Sequence, residues 1–152
     1  MDTSEIFQLV IIFILLFLSA FFSSAETAFS TVNKIRLQTM ADAGDKRAAL
    51  ACKILSNYGK MLSTVLIGNN IVNISTSAIT TVFATNLFGS WAVGIATGVL
   101  TVLVLLFGEI IPKTWAMLNN DKLSIAYAPF INFLCIIFTP LVFPRRSKTL
   151  SY

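Results

Sequence analysis

Ile6 to Leu18 is almost unbroken hydrocarbon, with Gln8 its one polar side chain, and the apolar character persists to Phe29. A run of this length crosses a bilayer, which takes about 20 helical residues at 1.5 Å each. Because lipid offers no hydrogen bonds to the backbone, the run is expected to be a helix. A soluble core is therefore not the organising principle of this chain. Composition agrees: of 152 residues, 56% are hydrophobic and 12% charged, and mean hydropathy is +0.81. The start does not read as a cleaved leader, because Asp2 and Glu5 stand where a signal peptide carries positive charge. The first span is expected to be retained.

Two further stretches cross in the same way, giving expected spans at about 6–29, 61–85 and 91–112. Trp91 and Trp115 bracket the third as interfacial anchors, and Gly94-x-x-x-Gly98 within it allows close helix contact. Between the first two, 33–60 interleaves Lys34, Arg36, Lys46, Arg47, Lys53 and Lys60 with apolar residues, and Gly44-Asp45 divides it. This pattern predicts two short amphipathic helices at the membrane surface, the second capped by Asp45. No aromatic platform accompanies the basic residues, so a nucleic-acid partner is not expected; membrane lipids are.

A last apolar stretch, 123–143, is long enough for a fourth span, but charge opposes it. With three spans and the N-terminus outside, all 11 Lys and Arg fall on one side, which the positive-inside rule makes cytoplasmic. A fourth crossing would send Arg145, Arg146 and Lys148 outside. Pro129 and Pro140 also interrupt the segment. The expected fold is thus a single all-α membrane domain over 1–152: three transmembrane helices, cytoplasmic-side amphipathic helices, and a bent helix in the inner leaflet. The C-terminus is expected to be cytoplasmic, in a prokaryotic plasma (inner) membrane.

Polar residues interrupt each span in its inner half. In the first, Ser19, Ser23 and Glu26 share one helical face, with Ser24 and Thr27 beside them. Serines in membrane helices commonly bond the carbonyl one turn back, and Glu26 also reads as an interfacial acid. In the second, Gly68, Asn69, Asn70 and Asn73 cluster, and Asn70, Asn73 and Ser77 form a stripe. Amides in hydrocarbon must find partners, on another helix or on an ion or water. In the third, Leu105 to Lys113 reads Leu-Leu-Phe-Gly-Glu-Ile-Ile-Pro-Lys. Glu109 is an acid at membrane depth, and Pro112 has no N–H for the Gly108 carbonyl four residues back. Carboxylate and carbonyl oxygens suit a hard cation such as Mg²⁺ or Na⁺. The alternative is a proline kink (Pro112) whose Glu109 pairs with Lys113. The chain has no histidine and two cysteines, Cys52 and Cys135, so a transition-metal site, a structural disulfide and an enzyme's nucleophile–base pair all lack material.

Leu18-Ser19-Ala20-Phe21-Phe22-Ser23-Ser24-Ala25-Glu26-Thr27-Ala28, Gly68-Asn69-Asn70-Ile71-Val72-Asn73 and Phe107-Gly108-Glu109-Ile110-Ile111-Pro112-Lys113 together resemble the signature patches of the CorC/CNNM membrane domain, across essentially the whole chain. The resemblance implies a homodimeric Mg²⁺ transporter, exporting Mg²⁺ in exchange for Na⁺. It implies an ion held by Ser19, Ser23, Asn70, Gly108 and Glu109, with Ser24, Glu26, Asn69 and Asn73 as further candidates. In that family, cytoplasmic nucleotide-binding modules follow the membrane domain; they are absent from these residues. A non-transporting Mg²⁺ sensor or membrane scaffold acting on other transporters needs the same oxygens.

Overall fold

A computed structural model describes residues 2–91 and 93–142, with backbone only for Val142. The elements are α1 (Thr3–Thr31), α2 (Lys34–Asp42), α3 (Lys46–Ser56), α4 (Tyr58–Phe88), α5 (Val93–Val104), a π-helical turn (Leu105–Ile110), α6 (Ile111–Leu118) and α7 (Asn120–Val142). Among the described residues every element is helical.

The two short helices have the caps their sequences call for. Asn33 accepts from the Ile35 and Arg36 N–H groups, and Asp45 from those of Arg47 and Ala48, satisfying donors that a helix start leaves free. Gly44, at φ 102°, makes the reversal between them in a region that side chains avoid. Their apolar sides are not left on a surface. Leu37, Ala48, Ala51, Ile54 and Leu55 join Phe22, Phe29, Met61, Val65, Ala128 and Ile131 in the largest buried cluster, which ties α2 and α3 to the C-terminal end of α1, the N-terminal end of α4 and the middle of α7.

α1 and α4 form the central pair. Gly68 permits their approach, because a Cβ there would sit 2.6 Å from Phe22 Cζ. α1 also meets α7 through Phe21, whose ring lies edge-on to Tyr127 and Phe130 at 4.8 and 5.0 Å. α5 packs beside α4 but has no buried residue.

Four helical stretches are long and apolar enough to cross a membrane by length and composition: Thr3–Thr31, Tyr58–Phe88, Val93–Leu118 and Asn120–Leu141. The first two contain the expected spans, extended at both ends; the third starts at Val93 rather than at 91 and runs on to Leu118, and the fourth covers most of the stretch expected to lie in the inner leaflet. The third departs from expectation internally. It widens into the π turn ahead of Pro112, which then occupies the first turn of α6, where a missing N–H costs little. The expected segment end at Phe143 and the basic residues after it lie outside the described residues.

Candidate cation site

Ser19 anchors the meeting of the three polar patches. Its Oγ donates to Asn73 Oδ1 at 3.0 Å, linking α1 to α4. From the other side the π turn presses in: a Cβ on buried Gly108 would meet Ser19 Oγ at 3.1 Å, so any larger residue would push Ser19 aside by a few tenths of an ångström. Ser19 itself is fully buried.

One turn further along α1, the antiparallel register of α1 and α4 sets Ser23 against the level of Asn69. Both residues are buried, and both Ser23 Oγ and Asn69 Oδ1 lack a hydrogen-bonding partner in the protein. Buried oxygens of this kind are rare because each lost hydrogen bond costs roughly 1–3 kcal/mol. Other hydroxyls nearby have partners. Ser24 donates to the Phe21 carbonyl and to Tyr127 Oη, at 2.9 and 3.1 Å, so it faces α7. Thr27 bonds back to the Ser23 carbonyl.

Glu109 is half-buried and reaches the rim of a cavity between α4, α5 and the π turn, which Asn73, Thr76, Ser77, Thr80, Thr97 and Thr101 also line. The cavity holds about 170 Å³ of space for water. Lys113 is not its partner: Lys113 Nζ lies 3.9 Å from Glu26 Oε2, so the structure gives that lysine to the acid of the first span. The expected alternative, a Glu109–Lys113 pair, is thereby corrected.

Two placements differ from the sequence argument. Asn70 is exposed, turned away from α1, while its neighbours Asn69 and Asn73 face inward; helix rotation of about 100° per residue separates them. The register around Pro112 also differs. The Ile111 N–H bonds the Leu106 carbonyl five residues back, so in the wide turn the carbonyl opposite Pro112 is that of Phe107, whereas an α register had pointed to Gly108. What distinguishes Gly108 here is its contact with Ser19.

Sequence reasoning missed Thr80 and Thr97. Their signal was spacing, since Thr76 and Thr80, and Thr97 and Thr101, each lie four apart, but threonine is common in such helices. Among the described residues no cluster of three or more His, Cys, Asp or Glu side chains forms, so a cation held here would meet neutral oxygens around one carboxylate.

The sequence matches the cyclin M transmembrane N-terminal domain over residues 10–149. The chain belongs to that family. Among relatives of this cyclin M domain, a UPF0053 protein of Haemophilus influenzae is 44% identical over 152 residues, covering 99% of this chain and 36% of that protein. The UPF0053 inner membrane protein YfjD of Escherichia coli is 42% identical over 132 residues, covering 87% of this chain and 31% of YfjD. A polyamine export protein of Haemophilus influenzae is 32% identical over 152 residues, covering 91% of this chain and 35% of that protein. The domain thus spans about a third of the length of these curated relatives.

Proposed function

We propose that this chain is the membrane domain of a cation transporter that carries Mg²⁺ out of the cell in exchange for Na⁺, as a homodimer in the bacterial inner membrane. The observation that carries this reading is the pair of buried, unpartnered oxygens, Ser23 Oγ and Asn69 Oδ1, one turn from the Ser19–Asn73 bond against which the Gly108 backbone packs. Hydroxyl and amide oxygens can replace part of the water shell of Mg²⁺, and Glu109 supplies the charge that balances a partly dehydrated ion where the dielectric is low. In this reading the ligands are Ser19, Ser23, Gly108 and Glu109 with Asn69 and Asn73. Asn70, turned outward in a single chain, keeps a ligand role only if a second copy or a rotation of α4 brings it in.

Three crossings fit the packing of α7. Near its start Asp121 pairs with Arg36 of α2 at 2.7 Å, and well along it Asn132 and Cys135 border the same small cavity as Lys53, Asn57 and Lys60. A helix that left the basic surface for the opposite leaflet would not return to those lysines. α7 in this reading runs along and dips into the inner leaflet, with the C-terminus cytoplasmic and the N-terminus outside.

One relative's name, polyamine export protein, favours a second cargo: an organic polycation, whose ammonium groups donate to the same oxygens. The test is flux from liposomes holding the full-length protein, with Mg²⁺ or a polyamine inside and a Na⁺ gradient imposed. Mg²⁺ release that Glu109→Gln abolishes is the expected result. Release of polyamine alone moves the assignment to the second cargo, and Mg²⁺ binding without any flux makes the protein a sensor or scaffold.

A further inference from the structure

Within the described helices the threonines past the first turn share a habit that Thr80 and Thr97 break. Thr27, Thr31, Thr39, Thr64, Thr76, Thr81, Thr85, Thr101 and Thr114 each donate to the carbonyl four residues back. This is what a threonine in an apolar helix does by default, since it hides the hydroxyl in the helix's own groove. Thr80 and Thr97 do not. Thr80 is 4% exposed, Thr97 Oγ1 is equally shut off from the surroundings, and neither hydroxyl meets a protein partner. They come from different helices, α4 and α5, and both line the cavity that has Glu109 at its inner end.

That cavity runs outward from the candidate site. Asn73 and Thr80 are seven residues apart on α4, about 10 Å along the axis, and Thr97 precedes Glu109 by twelve, about 18 Å. Hydroxyls reach it from both α4 and α5, with Leu100, Val104 and Leu105 filling the rest of the α5 side and Glu109 its one charged group. Space of about 170 Å³ exceeds what one water needs, and although most of the lining is apolar, the hydroxyls and Glu109 offer such waters partners.

We propose that this cavity is the outer arm of the cation's path, a hydrated vestibule in which the Thr80 and Thr97 hydroxyls stand in for departing water as the ion moves between Glu109 and the outside. The proposal rests on the transport reading for its direction, but its geometry can be tested without any flux. A cation released from Glu109 towards the outer face regains its water shell over a distance that the lipid would otherwise make prohibitive. The two free hydroxyls lie where that exchange begins. α5 closes the vestibule with no buried residue of its own, so its displacement opens the path at small packing cost.

The experiment uses the full-length protein with Cys52→Ala and Cys135→Ala, reconstituted with defined orientation. Thr80→Cys and Thr97→Cys are exposed from the outer side to a membrane-impermeant cationic methanethiosulfonate. Ile95→Cys and Val99→Cys, on the exposed face of α5, serve as lipid-facing controls, because a thiol in hydrocarbon does not form the reactive thiolate. Modification of Thr80→Cys and Thr97→Cys from outside, with the controls silent, is the expected result. Modification from the inner side alone, or of none of the four, overturns the vestibule. In parallel, the Thr80→Val, Thr97→Val double variant is expected to lower Mg²⁺ flux about tenfold, with Mg²⁺ binding by calorimetry unchanged, and Thr80→Ser, Thr97→Ser to restore it. Equal flux in the valine variant also refutes the role. If Mg²⁺ is not the cargo, the outside labelling persists while the Mg²⁺ measurements are blank, so the two failures are told apart.

Discussion

On the topology proposed above the domain has an inner and an outer half, and the two are packed on different principles. At the inner end, α2, α3 and α7 wrap the ends of α1 and α4, and Leu37, Ala48, Ala51 and Ile131 lose all contact with the surroundings. At the outer end α5 leans on α4 with no residue buried, and its exposed Ile95, Val99 and Val102 rely on lipid for company. The candidate site lies where the two regimes meet, at the π turn. In the transport reading proposed above, one part must hold its shape and one must give, and the division follows the chain: capped helices brace the first two spans, while the third enters unbraced and changes helical register beside its one acid. π turns recur at functional positions because a widened turn frees carbonyls and re-aims side chains.

The sharpest break of that comparison is a cavity made on each side of it. Leu37→Ala removes a fully buried side chain from α2 and is expected to cost about 2–5 kcal/mol, read as a large fall in melting temperature in detergent. Val99→Ala, on the exposed face of α5, is expected to change it by less than about 0.5 kcal/mol. Equal losses would mean that α5 is as well packed as the inner end, through a second copy.

Glycines sharpen the same contrast. Gly68→Ala drives a methyl group into the Phe22 ring at 2.6 Å and is expected to cost about 1–3 kcal/mol, because either α1 or the ring must move. Gly94→Ala and Gly98→Ala meet no atom within 4 Å in a single chain, and each is expected to stabilise α5 by roughly 0.5–1 kcal/mol through helix propensity. Destabilisation at Gly94 or Gly98, together with a shift towards monomer in native mass measurement, would place the dimer contact on that face.

Much of this was legible in the sequence because it follows from one-dimensional rules. Apolar run length located the membrane helices, Asp45 announced a helix start, and polar residues in three separate spans pointed to one meeting place. What was not legible depends on rotation and register. The sequence grouped Asn70, Asn73 and Ser77 as one stripe, yet which edge of a stripe faces the neighbouring helix depends on where Gly68 lets α1 approach. Counting four residues back from Pro112 assumed an α-helix, and nothing in Leu105 to Ile110 declares a π turn. Lys113 was one turn from Glu109 and looked like its partner; only the packing of α6 against α1 gives it to Glu26.

Cys52 probes which side the packed end occupies. It is half-buried in α3, and burial, with help from the charge of Asp42, pushes its thiol pKa up. The reactive species is the thiolate, so at neutral pH less of it is present than for a free cysteine. Labelling by an impermeant reagent is therefore expected to be slow at pH 7, to speed up as the pH rises through a range above that of an ordinary thiol, and to require access to the inner face. Labelling from outside in intact cells would invert the topology. Labelling already maximal at pH 7 would mean that α3 does not rest against the domain as described.

A small effect is also expected of the pair that replaced the Glu109–Lys113 contact. Lys113 and Glu26 are 3.9 Å apart at the edge of a salt-bridge distance, with their side chains 41% and 26% exposed, and pairs of that kind contribute about 0–1 kcal/mol once solvent screening is counted. Lys113→Met is expected to shift stability by no more than that. Glu26→Gln should match it, and the double variant should cost no more than either alone, since each single change already ends the attraction. Mg²⁺ binding should survive all three, because Glu109 keeps its charge. If instead Lys113→Met strengthens Mg²⁺ binding several-fold while Glu26→Gln leaves it unchanged, Lys113 acts on Glu109 as a resident cation that the substrate must displace, and the packed and yielding halves are coupled through that one side chain.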